Sequence, residues 1–285
     1  MVVLTTKEGK NYYVDDRLYI KFIKNVIKTI NKKDEDFVLV VDGKERSGKS
    51  VFAMQMAKSI DPSFCLDRLC FSADDFEEKI KNASKGQAVV LDEAYRHLSS
   101  SGALSEVNRL LKSLMMEMGQ KNLFVIIVLP TFYLLDRYVA IWRAKALINI
   151  YKTKKTKGCW KLYNGKKITR LYNNPKNRTS YNYDKVKTFF KGRFYNQYVL
   201  NEEEYRLKKE KNFKDSGKVK KPDKYMEQRD AAIGLLYNQG LTHKEITKGL
   251  NGMGITLSRQ LIAVIAAKFK GKKGVNSNSK NKNII

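Results

Sequence analysis

The run Gly43-Lys44-Glu45-Arg46-Ser47-Gly48-Lys49-Ser50 follows directly on the apolar run Phe37-Val38-Leu39-Val40-Val41-Asp42. No other feature restricts the fold so tightly, because it demands a buried strand, a tight loop and a helix in that order. Glycines at both ends of a four-residue spacer let the backbone close into a nest whose N–H groups converge on anionic oxygens, and the following helix adds its positive end. In such a loop Lys49 reaches the terminal phosphates of a nucleoside triphosphate and the Ser50 hydroxyl takes the position of a Mg²⁺ ligand. Gly43, Ser47 and Gly48 line the cradle, Arg46 is placed to contact phosphate, and Glu45 points outward. The plainer reading, a glycine-rich surface turn, does not account for the strand before it.

Strands and helices alternate after the loop. Residues 51–60 continue as helix until Asp61-Pro62 stops it, 66–71 form a short second strand, and Ser72 with Asp75 opens a helix through Asn82. Residues 87–93, Gln-Ala-Val-Val-Leu-Asp-Glu, read as a third strand buried on both faces, as in a parallel sheet. A helical pattern over 104–118, a fourth strand at 123–129, a helix over 134–142 and a fifth strand at 146–151 follow. Alternation of this kind predicts an α/β fold, a three-layer sandwich around a mostly parallel sheet. Ahead of the loop, residues 1–36 supply a short β segment and one helix. Met115, Met116 and Met118 read as core filler rather than ligands.

Asp92 and Glu93 end the third strand, where open α/β sheets gather their ligands. In an adjacent carboxylate pair of this kind, Asp92 holds the Mg²⁺ hydration shell and Glu93 polarises the water that attacks the γ phosphate; a solvated strand end is the alternative. Thr131, after the fourth strand, is equally readable as a γ-phosphate sensor and as a helix N-cap. Phosphoryl transfer also calls for an arginine, often lent by a neighbouring subunit. Arg137 and Arg143 are the candidates, with Arg109 behind them, each weighed against an ordinary surface role. Asn31-Lys32-Lys33-Asp34 matches the letters of a guanine-reading motif but precedes the phosphate loop, so it reads as a polar turn.

Charge divides the 285 residues unevenly. Residues 1–150 carry 23 Lys and Arg against 19 Asp and Glu, whereas 151–285 carry 33 against 10. A basic excess confined to one half favours a polyanion such as DNA or RNA, over a merely lysine-rich surface. Residues 159–166 read as a hairpin arm with an Asn164-Gly165 turn, the return arm being 168–172, and 173–224 as a basic arm or linker with one helical piece near 201–211. Residues 225–270 carry a helix-turn-helix pattern: an apolar face of Ala231, Ile233, Leu235 and Leu236, a capping box at Thr242 and Glu245, and a third helix beginning at residues 255–263. Thr256, Ser258, Arg259, Gln260 and Lys268 are the candidate DNA contacts, a three-helix interaction bundle being the plainer alternative. Residues 271–285 are polar and basic enough to remain disordered. The expected division is thus 1–36, 37–172 for the nucleotide domain, 173–224, 225–270 and 271–285. Cys65, Cys70 and Cys159 show no metal or disulfide spacing, the most apolar stretch, 123–142, is broken by Pro130 and Asp136-Arg137, and residue 1 onward lacks an export signal. A cytoplasmic protein without a membrane span is expected.

With loop, intervening strand, Val89-Val90-Leu91-Asp92-Glu93 and sensor strand in that order, residues 37–151 resemble the additional-strand (ASCE) class of P-loop ATPases. Leu129-Pro130-Thr131 with a nearby arginine is similar to the FtsK–HerA type, which includes viral DNA-packaging ATPases and Zot-like proteins of filamentous phages. That resemblance implies ATP and Mg²⁺ as cofactors, a homo-oligomer assembled as a ring, and a motor acting on double-stranded DNA; Lys49, Ser50, Asp92 and Glu93 match its nucleotide-site positions. The chain departs from the FtsK and Zot patterns in lacking a membrane anchor, and from terminases in lacking a nuclease-like second domain. Two other readings use the same residues: an AAA-type helper ATPase for replication or transposition, and a DNA-binding regulator switched by ATP.

Overall fold

The computed structural model describes residues 2–92, 108–115, 118–153, 158–174, 179–183, 186–216 and 224–269. The chain divides into two compact units at residues 217 and 218. The larger unit is α/β. An N-terminal hairpin, β1 (Val2–Thr5) and β2 (Asn11–Val14), precedes a helical run whose middle turn, Tyr19–Ile23, is π-helical. The main sheet consists of β3 (Phe37–Gly43), β4 (Leu69–Cys70), β5 (Ala88–Leu91), β6 (Phe124–Leu129), β7 (Ala144–Tyr151), β8 (Cys159–Asn164) and β9 (Phe190–Arg193). Its order is β4-β5-β6-β3-β7-β8-β9, parallel from β4 to β7 and antiparallel for β8 and β9. The loop-bearing β3 therefore lies between the fourth and fifth strands foreseen in sequence, and β6 separates it from β5.

Every residue of β3, β5 and β6 is buried. The two-residue alternation of a strand sends Leu39, Val41, Val90 and Ile126 to one face, where they pack with helices Lys24–Lys32 and Lys49–Ile60. Val38, Val40, Val89 and Ile127 turn to the other, under helices Ala73–Asn82 and Gly165–Asn173 and the helical residues 108–115. Ser72 caps its helix as expected, its hydroxyl accepting from the Asp75 N–H at 3.2 Å.

Four expectations need correcting. Residues 165–173 form a helix, not a hairpin arm: Asn164 caps it by accepting from the Lys167 N–H at 3.4 Å, and Ile168, Leu171 and Tyr172 bury at helical spacing. That periodicity outweighs the local turn chemistry of Asn-Gly. The helix expected over 134–142 is a short 3₁₀ turn, Phe132–Leu134, and a π-helical stretch, Tyr138–Arg143. The second strand shrinks to two residues because 66–68 coil into a 3₁₀ turn. Finally, 173–224 is no linker over most of its described length. It contributes edge strand β9, the helical piece expected near 201–211 forms as Glu202–Ser216, and Phe194, Val199, Leu200 and Tyr205 enter the core.

Among the described residues the smaller unit holds three helices, Lys224–Asn238, His243–Gly252 and Arg259–Phe269, around Ile233, Ile246, Ile262 and Ile265. The Thr242–Glu245 capping box forms. Gly234 lets the first and third helices touch: a Cβ there would lie 2.4 Å from Phe269 Cγ. Ala231 and Leu235, expected inward, are exposed. No helix among the described residues is long and apolar enough to cross a membrane.

Candidate nucleotide site

β3 delivers Gly43 into a position that only glycine can hold, at φ +141°, where a Cβ would sit 2.1 Å from the Ile150 carbonyl oxygen of β7. The turn then passes through left-handed backbone at Arg46 (φ +56°) and Gly48 (φ +95°) before the helix starts at Lys49. Left-handed residues within a short turn are what build a concave N–H nest. The Lys49 ammonium folds back over the loop, donating to the carbonyls of Gly43 at 2.7 Å and Lys44 at 2.9 Å. Ser47 is buried and its hydroxyl has no hydrogen-bond partner among the described residues, an uncommon cost inside a loop unless a ligand completes it. Ser50 is half-buried in the first helical turn, whereas Glu45 and Arg46 are exposed. These features fit a phosphate group and an accompanying Mg²⁺ ion.

The register brings Asp92 to the same end of the sheet. Leu91 and Val40 both pair with Ile127 of β6, so Asp92 stands level with Val41, two residues short of Gly43. Two strand spacings place it roughly 10 Å to the side. Its carboxyl is fully buried, and the Tyr205 hydroxyl donates to Oδ2 at 3.3 Å. Glu93 lies outside the described residues.

Asp42, the last β3 side chain before the loop, carries no assigned role in the sequence reading. It is buried and gathers three elements: its carboxylate accepts from the Phe132 N–H at 2.9 Å, from the Asn149 amide at 2.9 Å, and from the Tyr183 hydroxyl. Burial pushes its pKa from the ordinary carboxylate range up to about 6, against the pull of these donors and of Lys49. The signal was an ionisable residue closing an otherwise apolar strand. Burial and the neighbouring Asp42 charge in turn raise the Tyr183 phenol well above its usual value.

Thr131 stands two residues beyond Leu129, the β6 partner of Asp42, and so at the loop end of the sheet. It occupies the N-cap position of Phe132–Leu134, yet its side chain makes no capping bond, and the Phe132 N–H goes to Asp42 instead. Arg143 is not brought to the site of its own chain. It precedes β7, pairs with Asp36 ahead of β3, and both lie at the opposite end of these parallel strands, about 20 Å from the loop. Arg137 and Arg109 are exposed.

Residues 194–205, whose place beside the site was not foreseen, run past both halves of it. A Cβ on Gly48 would meet the Phe194 ring at 3.0 Å. Gln55, from the helix after the loop, donates to the carbonyls of Tyr195 and Gln197, each at 2.8 Å. In the smaller unit Thr256, Ser258, Arg259 and Gln260 are exposed together at the start of Arg259–Phe269. Ser258 also caps that helix, accepting from the Leu261 N–H at 3.2 Å. Lys268 is exposed nine residues further on, about 14 Å along the axis from Arg259.

No family model matches the chain, and no curated protein is detectably similar to it in sequence.

Proposed function

We propose that the larger unit is a Mg²⁺-dependent ATPase of the additional-strand P-loop class and that, with the basic three-helix unit, it works as an oligomeric motor on double-stranded DNA. The carrying observation is the placement of the 43–50 loop and Asp92 at one end of the sheet with β6 between them. On this reading the loop N–H groups and the Ser47 hydroxyl hold phosphate oxygens. Lys49 exchanges its two carbonyl partners for the β and γ phosphates, an ion-pair gain over a neutral contact. Mg²⁺ would supply charge neutralisation between the phosphates, held through Ser50 and the side of Asp92. Glu93 orients the attacking water, and Thr131 reads the γ phosphate. Arg137 or Arg109 is exposed and so placed to serve a neighbouring subunit in a ring of the FtsK–HerA kind.

The DNA assignment is supported by the exposed Thr256, Ser258, Arg259 and Gln260 at a helix start and by the basic excess beyond residue 150. ATP turnover with and without double-stranded DNA, together with the mass of the assembly, tests the whole reading. Lys49→Ala is expected to cut turnover about a hundredfold or more while DNA binding survives; unchanged turnover in that variant would falsify the site. Turnover that rises with DNA length supports a motor over a stationary helper ATPase.

A further inference from the structure

The segment after β9 is tied to both chemical halves of the site. Phe194 closes against Gly48, and Gln55 holds the backbone of 195–197 beside the loop helix. Asn201 then starts helix Glu202–Ser216 by accepting from the Glu203 N–H at 3.0 Å. One turn in, Tyr205 is buried between the Phe71 and Tyr198 rings, with centroids at 6.0 and 5.7 Å, and its hydroxyl reaches Asp92. Lys209, one turn further, donates to that hydroxyl at 3.2 Å. Lys208 clamps the helix to the neighbouring backbone through the carbonyls of Leu66 at 2.9 Å and Leu69 at 2.7 Å. The helix ends at Ser216, immediately before the second unit.

We infer that Tyr205 is the positioning residue for Asp92: its hydroxyl fixes the carboxylate that faces the metal and ties metal use to the helix leading into the C-terminal unit. The inference rests on the ATPase reading. A carboxylate that holds a metal's water shell must keep one rotamer, and a hydroxyl on one oxygen sets which lone pairs remain for the metal side. The Lys209 ammonium polarises the phenol and strengthens its donation to the carboxylate. A purely packing role would need the ring but not the hydroxyl.

Tyr205→Phe separates the two. It keeps both ring contacts and removes the hydroxyl, so the assay is ATP turnover of the full chain titrated with Mg²⁺, beside metal-free ATP binding. We expect the Mg²⁺ concentration for half-maximal turnover to rise about tenfold, with metal-free ATP affinity unchanged. Lys209→Gln, on a half-buried side chain, should move it the same way by a smaller factor. Mg²⁺ dependence in both variants identical to the parent, with Lys49→Ala inactive, overturns the Tyr205 role alone. A parent chain that turns over no ATP, or keeps full turnover as Lys49→Ala, overturns the ATPase reading and this one with it. If Tyr205→Phe fails to fold, the Lys209→Gln titration decides.

Discussion

Asp42→Asn isolates the charge at the base of the phosphate loop. The native carboxyl is fully buried and its pKa is pushed from 3.8 to about 6. The folded state therefore prefers the protonated form, and the associated stability is complete below about pH 4 and disappears as pH rises through about 6. A shift of about two units corresponds to about 3 kcal/mol between those limits. The new amide is neutral at every pH and can keep the contacts: its oxygen accepts from Phe132 and Tyr183, and its NH₂ meets an Asn149 amide turned to present oxygen. Urea unfolding of both proteins at about pH 4 and about pH 7.5 gives the difference in stability at each. That difference should move by about 2 kcal/mol in favour of Asp42→Asn on going to the higher pH, because at pH 4 the unfolded carboxyl is already partly ionised. Carboxylates shifted the other way, such as Asp61, which Ser63, the Ala88 N–H and Arg68 hold low despite burial, cancel in the comparison. A difference that stays flat with pH, whether near zero or a constant deficit, would refute the claim that burial dominates this group.

Two further outcomes follow from geometry. Gly43→Ala would drive a methyl into the Ile150 carbonyl at a left-handed φ and should cost about 3 kcal/mol or more, read as a lowered urea midpoint; a near-neutral effect would mean that β7 yields at that position. Removing residues 225–285 should weaken binding to double-stranded DNA and flatten its dependence on salt, by about 0.9 in log–log slope for each phosphate that the shortened chain no longer neutralises, while basal ATP turnover persists. An unchanged slope would move the DNA-binding surface to the larger unit.

The loop and the buried strands around it were legible because each is written locally: two glycines at fixed spacing, and apolar runs too continuous for a half-exposed strand. The C-terminal helices were legible from caps and period. Long-range closure left no such trace. Asp36–Arg143 joins residues 107 apart, Asp42–Tyr183 joins residues 141 apart and Tyr205–Asp92 joins residues 113 apart. In each case one partner sits in a segment whose composition reads as loop or surface.

The stretch 190–205 shows why composition misled. Its tyrosines, its asparagines and the charged Lys191, Arg193 and Glu202 to Glu204 suggest a solvated arm, yet tyrosine is amphipathic, burying a ring while its hydroxyl keeps a polar partner. Tyr205 does both at once, and the half-buried Tyr183, its ring packed against the core, does the same for Asp42. Asp42 and Asp92, buried near the proposed phosphate site, are thus each held by a phenol from the second half of the chain. A nucleotide domain ending at residue 172 would lack both phenols and leave Asp92 without the Tyr205 hydroxyl. On the proposed reading, helix Glu202–Ser216 is needed to set Asp92 in place, so the segment expected as a linker would belong with the nucleotide domain.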